Sequence, residues 1–131
     1  MLNNAKENRK SWFHKADEDD LSAKALLDGK NGSPSTVCFL SQQVAEKYLK
    51  GLLVFYDREF LKTHDLIELE ELLLLVSPQV KEFEKELDFL NRFYLETRYP
   101  GDYPEFTWEE AQKAYQGAAR IKVFVLRKTG K

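Results

Sequence analysis

The sequence contains few of the residues that covalent crosslinks, flexible chains or membrane spans require. It has one cysteine, six glycines and four prolines, and its longest unbroken apolar runs, such as the run from Leu72 to Val76, have five residues. A single cysteine, Cys38, excludes an internal disulfide and a cysteine-built metal cluster. Five apolar residues cannot cross a bilayer, which takes about 20. Glycine and proline are too scarce for a disordered or fibrous chain.

What remains is the composition of a folded domain. Of the 131 residues, 43% are hydrophobic, 13% aromatic and 32% charged. A chain of this length buries roughly two-thirds of the surface that it exposes when unfolded, so we expect residues 1–131 to form a single domain. The segment MLNNAKENRK lacks the apolar stretch of a secretory signal. We therefore expect a cytoplasmic protein with no membrane partner.

Charge is unevenly distributed along the chain, although the net charge is only −2. Residues 68–88 contain seven acidic residues and two lysines, whereas residues 111–131 contain six basic residues and no acid. A basic last helix favours contact with nucleic acid phosphates or an acidic partner. The alternative is a solvated helix whose cations lie near its carboxyl end, where the helix dipole favours them.

Apolar residues recur at helical spacing nearly throughout, which predicts an all-α protein. The second helix opens at Ser33-Pro34, a capping residue followed by proline at the first helical position, and its apolar residues lie almost all round, as in an interior helix. The last helix opens with a capping box of Thr107 and Glu110. We predict an up-and-down bundle of four long helices plus one short helix, at about residues 5–28, 33–56, 66–76 (the short one), 78–96 and from 107 onward.

The second helix carries a polar stripe of Gln43, Glu46, Lys47 and Lys50. These residues are spaced at i, i+3, i+4 and i+7, which places them on one face. One interpretation is that the stripe is the only solvent-facing strip of this helix, with Glu46 and Lys50 as an i,i+4 ion pair. The other interpretation is that an interior helix opens its one polar face onto a binding cleft.

Asp20 falls within the apolar arc of the first helix, beside Phe13 and Leu27. Burying a bare carboxylate is very unfavourable, so Asp20 must be paired or hydrogen-bonded. We expect an internal salt bridge to Arg98 or to a lysine of the second helix. The neighbouring acids at 17–19 point in several directions, so we expect no metal site there.

The two histidines do not suggest a hydrolase. His64 lies in KTHDL, at a helix start, a position typical of a cap or a surface residue, and His14 has no evident partner. The chain lacks a Ser-His-Asp arrangement and a glycine-rich phosphate loop. We therefore expect no nucleophilic hydrolase, no metal and no cofactor.

The segment TRYPGDYPEF, residues 97–106, is interrupted by two prolines and a glycine, which excludes a helix. It carries Arg98, Tyr99, Asp102 and Tyr103. A guanidinium that can fork onto phosphate, beside aromatic rings that can stack on a base, is the minimum chemistry for holding a nucleotide. The alternative is a structured connection whose tyrosines cover the end of the bundle.

These elements in combination resemble the HEPN domain family. The resemblance rests on Trp12 and Asp20-Leu21 in the first helix, followed by SQQVAEKYLKGLL, KTHDL and ELDFLNRFYLETRYPGDYP. It implies a helical bundle that commonly dimerises, with the arginine motif near the dimer cleft. Many members are ribonucleases, and others are non-catalytic modules that bind nucleotides or accompany a minimal nucleotidyltransferase, often as a toxin–antitoxin pair.

Arg98 matches the arginine of the family's catalytic motif, in which a histidine follows after four to six residues. Positions 103, 104 and 105 hold Tyr103, Pro104 and Glu105, so that histidine is missing. A tyrosine, with an ordinary pKa near 10, is a poor general base at neutral pH. The departure favours a nucleotide- or RNA-interacting accessory module, working with a nucleotidyltransferase partner, over a ribonuclease toxin. A purely structural interaction module is a third hypothesis.

The predicted site is composite. We expect the segment with Arg98, Tyr99, Asp102 and Tyr103 to face the stripe of Gln43, Glu46, Lys47 and Lys50, with His64 and Asp20 in support. Three cations would hold phosphate, and the tyrosines would stack on a base. The resemblance to toxin members also allows Tyr103 to accept a nucleotidyl group from a partner enzyme. We predict a homodimer with a nucleotide or RNA ligand.

Overall fold

The computed structural model describes residues 5–96 and 105–130, and all secondary structure in these two ranges is helical. This finding confirms the predicted all-α bundle. The elements in chain order are α1 (Ala5–Gly29), α2 (Pro34–Phe55), α3 (Leu66–Leu74), a 3-10 helix (Pro78–Phe83), α4 (Glu84–Asn91), α5 (Phe93–Glu96) and α6 (Trp108–Lys128). None of these helices in the described ranges is both long enough and apolar enough to cross a membrane.

Two helix starts follow the predicted capping residues. The Ser33 hydroxyl accepts a hydrogen bond from the Ser35 amide at 3.1 Å, and Pro34 is the first residue of α2. At α6 the Thr107 hydroxyl accepts from the Glu110 amide at 3.0 Å, while the Glu110 carboxylate accepts from the Thr107 amide at 2.9 Å. The starts of α2 and α6 are determined by local sequence, because their capping residues accept hydrogen bonds from amides that a helix start leaves unpaired.

The segment predicted as the fourth long helix is divided into three pieces, the 3-10 helix, α4 and α5. The residue before Pro78, Ser77, makes no side-chain cap, and 3-10 bonding is common where a helix begins. At the far end of α4, the Asn91 side chain accepts from the Leu66 amide at 2.7 Å and donates to Asp65 at 3.0 Å. These bonds attach the end of α4 to the start of α3.

The second helix, α2, lies at the centre and contacts each of the other five α-helices. Phe13 of α1 stacks on Tyr48 of α2 with ring centroids 4.9 Å apart. On the other side, α6 packs with a face of mostly small residues, which comprises the buried residues Ala111, Ala114, Ala118, Ile121 and Val125. Because both flanks of α2 are covered, four of its polar residues are buried as well: Ser41, Gln42, Glu46 and Lys50.

Candidate functional site

Polar side chains from two parts of the chain contact the carboxylate of Glu46 on α2. Only 3% of its side chain is exposed, and it accepts a hydrogen bond from Lys50 Nζ at 2.9 Å. The Nδ1 atom of His64 lies 3.0 and 3.1 Å from its two oxygens. The amides of Gln42 and Gln43 each approach it at 3.4 Å. We call these five residues the Glu46 cluster. A buried carboxylate is tolerated when it is paired and hydrogen-bonded in this way.

Helix spacing and one turn bring the Glu46 cluster together. Gln42, Glu46 and Lys50 are spaced at i, i+4 and i+8 on α2, so they lie one above the other. His64 comes from the turn before α3, and its backbone oxygen accepts a hydrogen bond from Gln42 Nε2 at 3.0 Å. The next residue, Asp65, caps α3 by accepting from an amide of its first turn. The backbone at His64 is therefore held on both sides.

Aromatic rings enclose the Glu46 cluster. Lys50 Nζ lies 5.3 Å from the ring centroid of Trp12 and 5.8 Å from that of Phe60, within cation–π range of both. The His64 ring stacks on Tyr94 of α5, with centroids 4.1 Å apart and ring planes 14° apart. The charged groups thus lie in partly apolar surroundings, where electrostatic interactions are stronger than in water.

His64 is the part of the Glu46 cluster that reaches the surface, with 42% of its side chain exposed. A carboxylate only accepts hydrogen bonds, so the contact with Glu46 places a proton on Nδ1. In the described part of the chain, Nε2 has no hydrogen-bond partner. A neutral ring therefore offers Nε2 as an acceptor or base, and a protonated ring offers it as a donor for an anion. Within residues 5–96 and 105–130, no group of His, Cys, Asp and Glu could hold a metal ion.

A second polar network joins α1 to α6 and includes Asp20. Its carboxylate accepts from the Tyr115 hydroxyl at 2.6 Å and from Lys122 Nζ at 2.9 Å. Lys122 also lies 3.2 Å from Asp17. Burial and the hydrogen bond to Asp20 raise the pKa of Tyr115. Burial alone would lower the pKa of Lys122, but the hydrogen bonds to Asp20 and Asp17 outweigh it and raise that pKa.

The pairing of Asp20 corrects one sequence-based expectation. The lysine that contacts Asp20 belongs to α6, whereas we expected a lysine of α2 or Arg98, which lies outside the described residues. The α2 lysine, Lys47, instead contacts Asp19 at 2.6 Å. The reason is the turn of α1, which directs adjacent carboxylates toward different neighbouring helices. Asp20 therefore links α1 to α6 and lies outside the Glu46 cluster.

The predicted stripe of α2 lies on one face, but it is not a solvent-facing strip. Lys50 and Glu46 form the expected i,i+4 pair, yet only 5% and 3% of their side chains are exposed. Lys47 and Gln43 are half-buried. The interpretation of the stripe as an ordinary solvated face is therefore wrong for Glu46 and Lys50, since Trp12, Phe60 and His64 cover this part of α2.

The structure unites part of the predicted site. It brings Gln43, Glu46, Lys50 and His64 into one cluster, while Lys47 and Asp20 make their ion pairs with other helices. The remaining predicted residues lie outside the described residues: Arg98, Tyr99, Asp102 and Tyr103. Their position opposite the stripe stays a prediction.

Sequence reasoning missed two members of this region, Gln42 and Tyr94. The spacing of Gln42 at i−4 from Glu46 would have indicated that it lies above the carboxylate. Tyr94 lies in the segment that we predicted as the fourth long helix. Its stacking on His64 joins residues 30 positions apart, and no local pattern reports such a contact.

Comparisons with protein families and with solved structures both find matches. A family model described as HEPN domain matches residues 9–128. The crystal structure of an archaeal HEPN homologue has a TM-score of 0.73 and 29% identity, covering 92% of this chain and 97% of its own. A crystal structure from Thermus thermophilus has a TM-score of 0.77 and 27% identity, with the same two coverages. None of the curated proteins matches the sequence.

Proposed function

The chain belongs to the HEPN domain family, and on that premise we propose that it is a nucleotide- or RNA-interacting accessory module that works with a minimal nucleotidyltransferase supplied by another chain. The functions of HEPN domains generally involve nucleotides or RNA. We propose the nucleotidyltransferase partner and the cytoplasmic location from the sequence alone. The absence of a histidine after Arg98 favours ligand binding over catalysis.

The Glu46 cluster is the observation that supports this function. Buried ion pairs seldom add stability over well-packed apolar residues. A charged residue at a position where packing alone would favour an apolar residue commonly belongs to a functional site. Here the buried polar residues lead to a partly exposed imidazole whose Nε2 atom has no hydrogen-bond partner among the described residues. Such an arrangement is suited to contacting a polar ligand at this surface.

We assign different roles to the residues of the Glu46 cluster. His64, when protonated, would donate Nε2–H to a phosphate oxygen, and Glu46 would hold the ring in place by accepting a hydrogen bond from Nδ1–H. Lys50 is too deeply buried to contact a ligand directly, so its role would be to hold Glu46. Gln43 is half-buried and would supply an amide at the edge. Lys47 would reach a phosphate only by leaving Asp19.

The residues of the 97–106 segment complete the proposed site. Only four positions separate Arg98 from Tyr94 in the sequence, and Tyr94 stacks on His64. We propose that Arg98 forks onto a phosphate, that Tyr99 and Tyr103 stack on a base, and that Asp102 orients Arg98 or accepts from a ribose hydroxyl.

Ligand binding tests this site directly. The anisotropy of a fluorescein-labelled single-stranded RNA, and of a labelled mononucleotide, would be measured against the wild type and the variants His64→Ala and Arg98→Ala. We expect Arg98→Ala to weaken binding by about 1.5–3 kcal/mol, the usual range for a hydrogen bond to a charged group, and His64→Ala to weaken it about tenfold.

Two control variants match the change in residue type. His14→Ala removes the other histidine, which is exposed on α1, and Arg127→Ala removes an exposed arginine of α6. Both should bind like the wild type. Affinities that are unchanged in His64→Ala and Arg98→Ala would overturn the proposed site, and a wild type that binds neither probe would overturn the function.

The proposed partners have their own test. We propose that the chain forms a homodimer and that it forms a complex with a nucleotidyltransferase. Light scattering at micromolar concentration should give twice the mass of one chain, and a nucleotidyltransferase encoded beside this gene should co-purify with it. The mass of a single chain would contradict the dimer, and separate elution of the two proteins would contradict the partnership.

A metal-independent ribonuclease is the second candidate function, and one observation favours it. The contact between Glu46 and His64 orients an imidazole by a carboxylate, which is how many enzymes position a general base or acid. Incubation of the protein with structured and unstructured RNA in the presence of a chelator separates the two functions. Cleavage that both His64→Ala and Arg98→Ala abolish would establish the ribonuclease and overturn the accessory role.

A further inference from the structure

The short helix α3 carries leucines on both of its faces. Its buried face comprises Leu66, Leu69, Glu70 and Leu73. Its opposite face comprises Glu68, Glu71 and Leu72, together with Leu75 just after the helix, at the spacing i, i+3, i+4 and i+7. A helix that is apolar on both faces is typical of one covered on both sides. In this structure one side is open, since Leu75 is 71% exposed.

A groove of about 440 Å³ runs along this open side. One wall is the exposed face of α3, and the other is the turn that precedes α3. The apolar part of its lining comprises Phe60, Leu61 and Leu72, and the acidic part comprises Glu59, Glu68 and Glu71. Leu61 is 85% exposed, the largest value among the exposed large hydrophobic residues of the described chain. We call this surface the α3 groove.

The charged residues that line the α3 groove in the described part of the chain are all acidic. No lysine or arginine is among its lining residues, and its three glutamates make no hydrogen bond or ion pair within the described part of the chain. The longer segment 68–88, which begins on this face, has seven acidic residues against two lysines. Grouped carboxylates at a low-dielectric wall produce a negative potential that attracts cations and repels nucleic acids and anionic membranes.

We propose that the α3 groove docks a cationic amphipathic helix of a partner protein. Its apolar stripe would cover Leu61, Leu72 and Leu75, and its lysines or arginines would pair with the groove's glutamates. Both features follow helix-in-groove recognition, in which anchors at i, i+3, i+4 and i+7 enter an apolar groove. None of the residues that line the α3 groove belongs to the Glu46 cluster, so the inference goes beyond the proposed function and does not depend on it.

A designed peptide tests the proposal with the full-length protein. The probe is a fluorescein-labelled helix of about 18 residues, five turns, built of Leu, Ala and Lys with leucines at i, i+3, i+4 and i+7. A scrambled peptide of the same composition is the reference for general charge attraction. We expect the amphipathic peptide to bind at least tenfold more tightly than the scrambled one, and its binding to weaken as salt concentration rises.

Variants locate the binding surface. Glu68→Gln combined with Glu71→Gln, and separately Leu61→Ser, should each weaken peptide binding at least tenfold. These side chains are exposed, so the fold should persist, as circular dichroism would verify. The matched control, Glu82→Gln combined with Glu105→Gln, changes the charge equally at exposed acids elsewhere and should bind within twofold of the wild type.

Three results would overturn the proposal. The first is equal binding of the amphipathic and scrambled peptides. The second is unchanged affinity in both groove variants. The third is evidence that a second copy of this chain occupies the groove. If the wild type sediments as a dimer and the double variant Glu68→Gln, Glu71→Gln as a monomer, the groove is a self-association surface.

Discussion

The ring of Phe13 on α1 lies directly against the backbone of Gly51 on α2. A Cβ atom added at position 51 would stand 2.4 Å from Cε1 of that ring, a distance that non-bonded carbons do not adopt. The absence of a side chain at Gly51 therefore sets how closely α1 approaches the central helix.

The first prediction concerns Gly51→Ala. In an open helix this change stabilises by up to about 1 kcal/mol because alanine favours the helix. Here the buried ring, which also stacks on Tyr48, must move, so we expect a destabilisation of about 1–3 kcal/mol, as for other overpacked cores. Urea unfolding monitored by circular dichroism measures the change.

Gly117→Ala is the matched control in α6. The nearest atom to its added Cβ is 3.7 Å away, an ordinary van der Waals contact, so this variant should be neutral or slightly stabilised. Adding Phe13→Leu to Gly51→Ala should recover part of the lost stability. If Gly51→Ala proves as stable as Gly117→Ala, the close approach is not a constraint.

The second prediction concerns the buried ion pair. Lys50→Met leaves the Glu46 carboxylate without its ammonium partner, so we expect a loss of about 3–5 kcal/mol of unfolding free energy. Combining it with Glu46→Gln should cost less than the sum of the single changes, by about 0.5–3 kcal/mol. Lys24→Met breaks the exposed pair with Asp28 and should cost less than about 1 kcal/mol. Strict additivity in the double variant would contradict the coupling.

The third prediction is a pH dependence that arises from Glu70. This side chain lies on the buried face of α3, and burial together with the nearby Glu84 and Asp88 carboxylates raises its pKa. The folded state therefore holds the proton more tightly than the unfolded state does. Above the raised pKa the ionised group destabilises the fold, and this penalty is relieved as the pH falls through that pKa toward the unfolded value.

Glu70→Gln should remove this pH-dependent term. The variant should be more stable than the wild type at neutral pH, and the difference should shrink at mildly acidic pH, as thermal unfolding at both pH values would show. Glu68→Gln, an exposed change on the same helix, should follow the wild-type profile. A Glu70→Gln variant that is less stable at neutral pH would show that the carboxylate is stabilising.

The fourth prediction concerns the link between α1 and α6. Tyr115→Phe removes the hydroxyl that donates to Asp20 at 2.6 Å. A hydrogen bond to a charged group contributes about 1.5–3 kcal/mol, and partial exposure places this one near the lower figure. Tyr56→Phe is the control, because the Tyr56 hydroxyl has no partner in the described part of the chain. Equal stability of the two variants would show that the bond contributes nothing.

The helices were predictable because their determinants are local. Ser33-Pro34 and the Thr107–Glu110 capping box marked two helix starts, and the apolar residues around α2 indicated that this helix is interior. The subdivision of the fourth helix was not predictable, since 3-10 and α-helical turns share nearly the same apolar spacing over one or two turns. The family was evident from short motifs at characteristic places along the chain, and the family match over residues 9–128 agrees.

By itself, the sequence determined which residues are helical, that α2 is interior, and which polar side chains share its face, because caps and periodicity act over only a few residues. Only the tertiary structure decided what those polar side chains contact. Glu46 meets His64 across 18 positions, and Asp20 meets Tyr115 and Lys122 across 95 and 102. Such partners depend on how whole helices pack, and packing is governed by the shape of the entire core. For this reason a stripe that could have faced solvent contains a buried ion pair, Glu46 and Lys50, beside the partly exposed imidazole of His64.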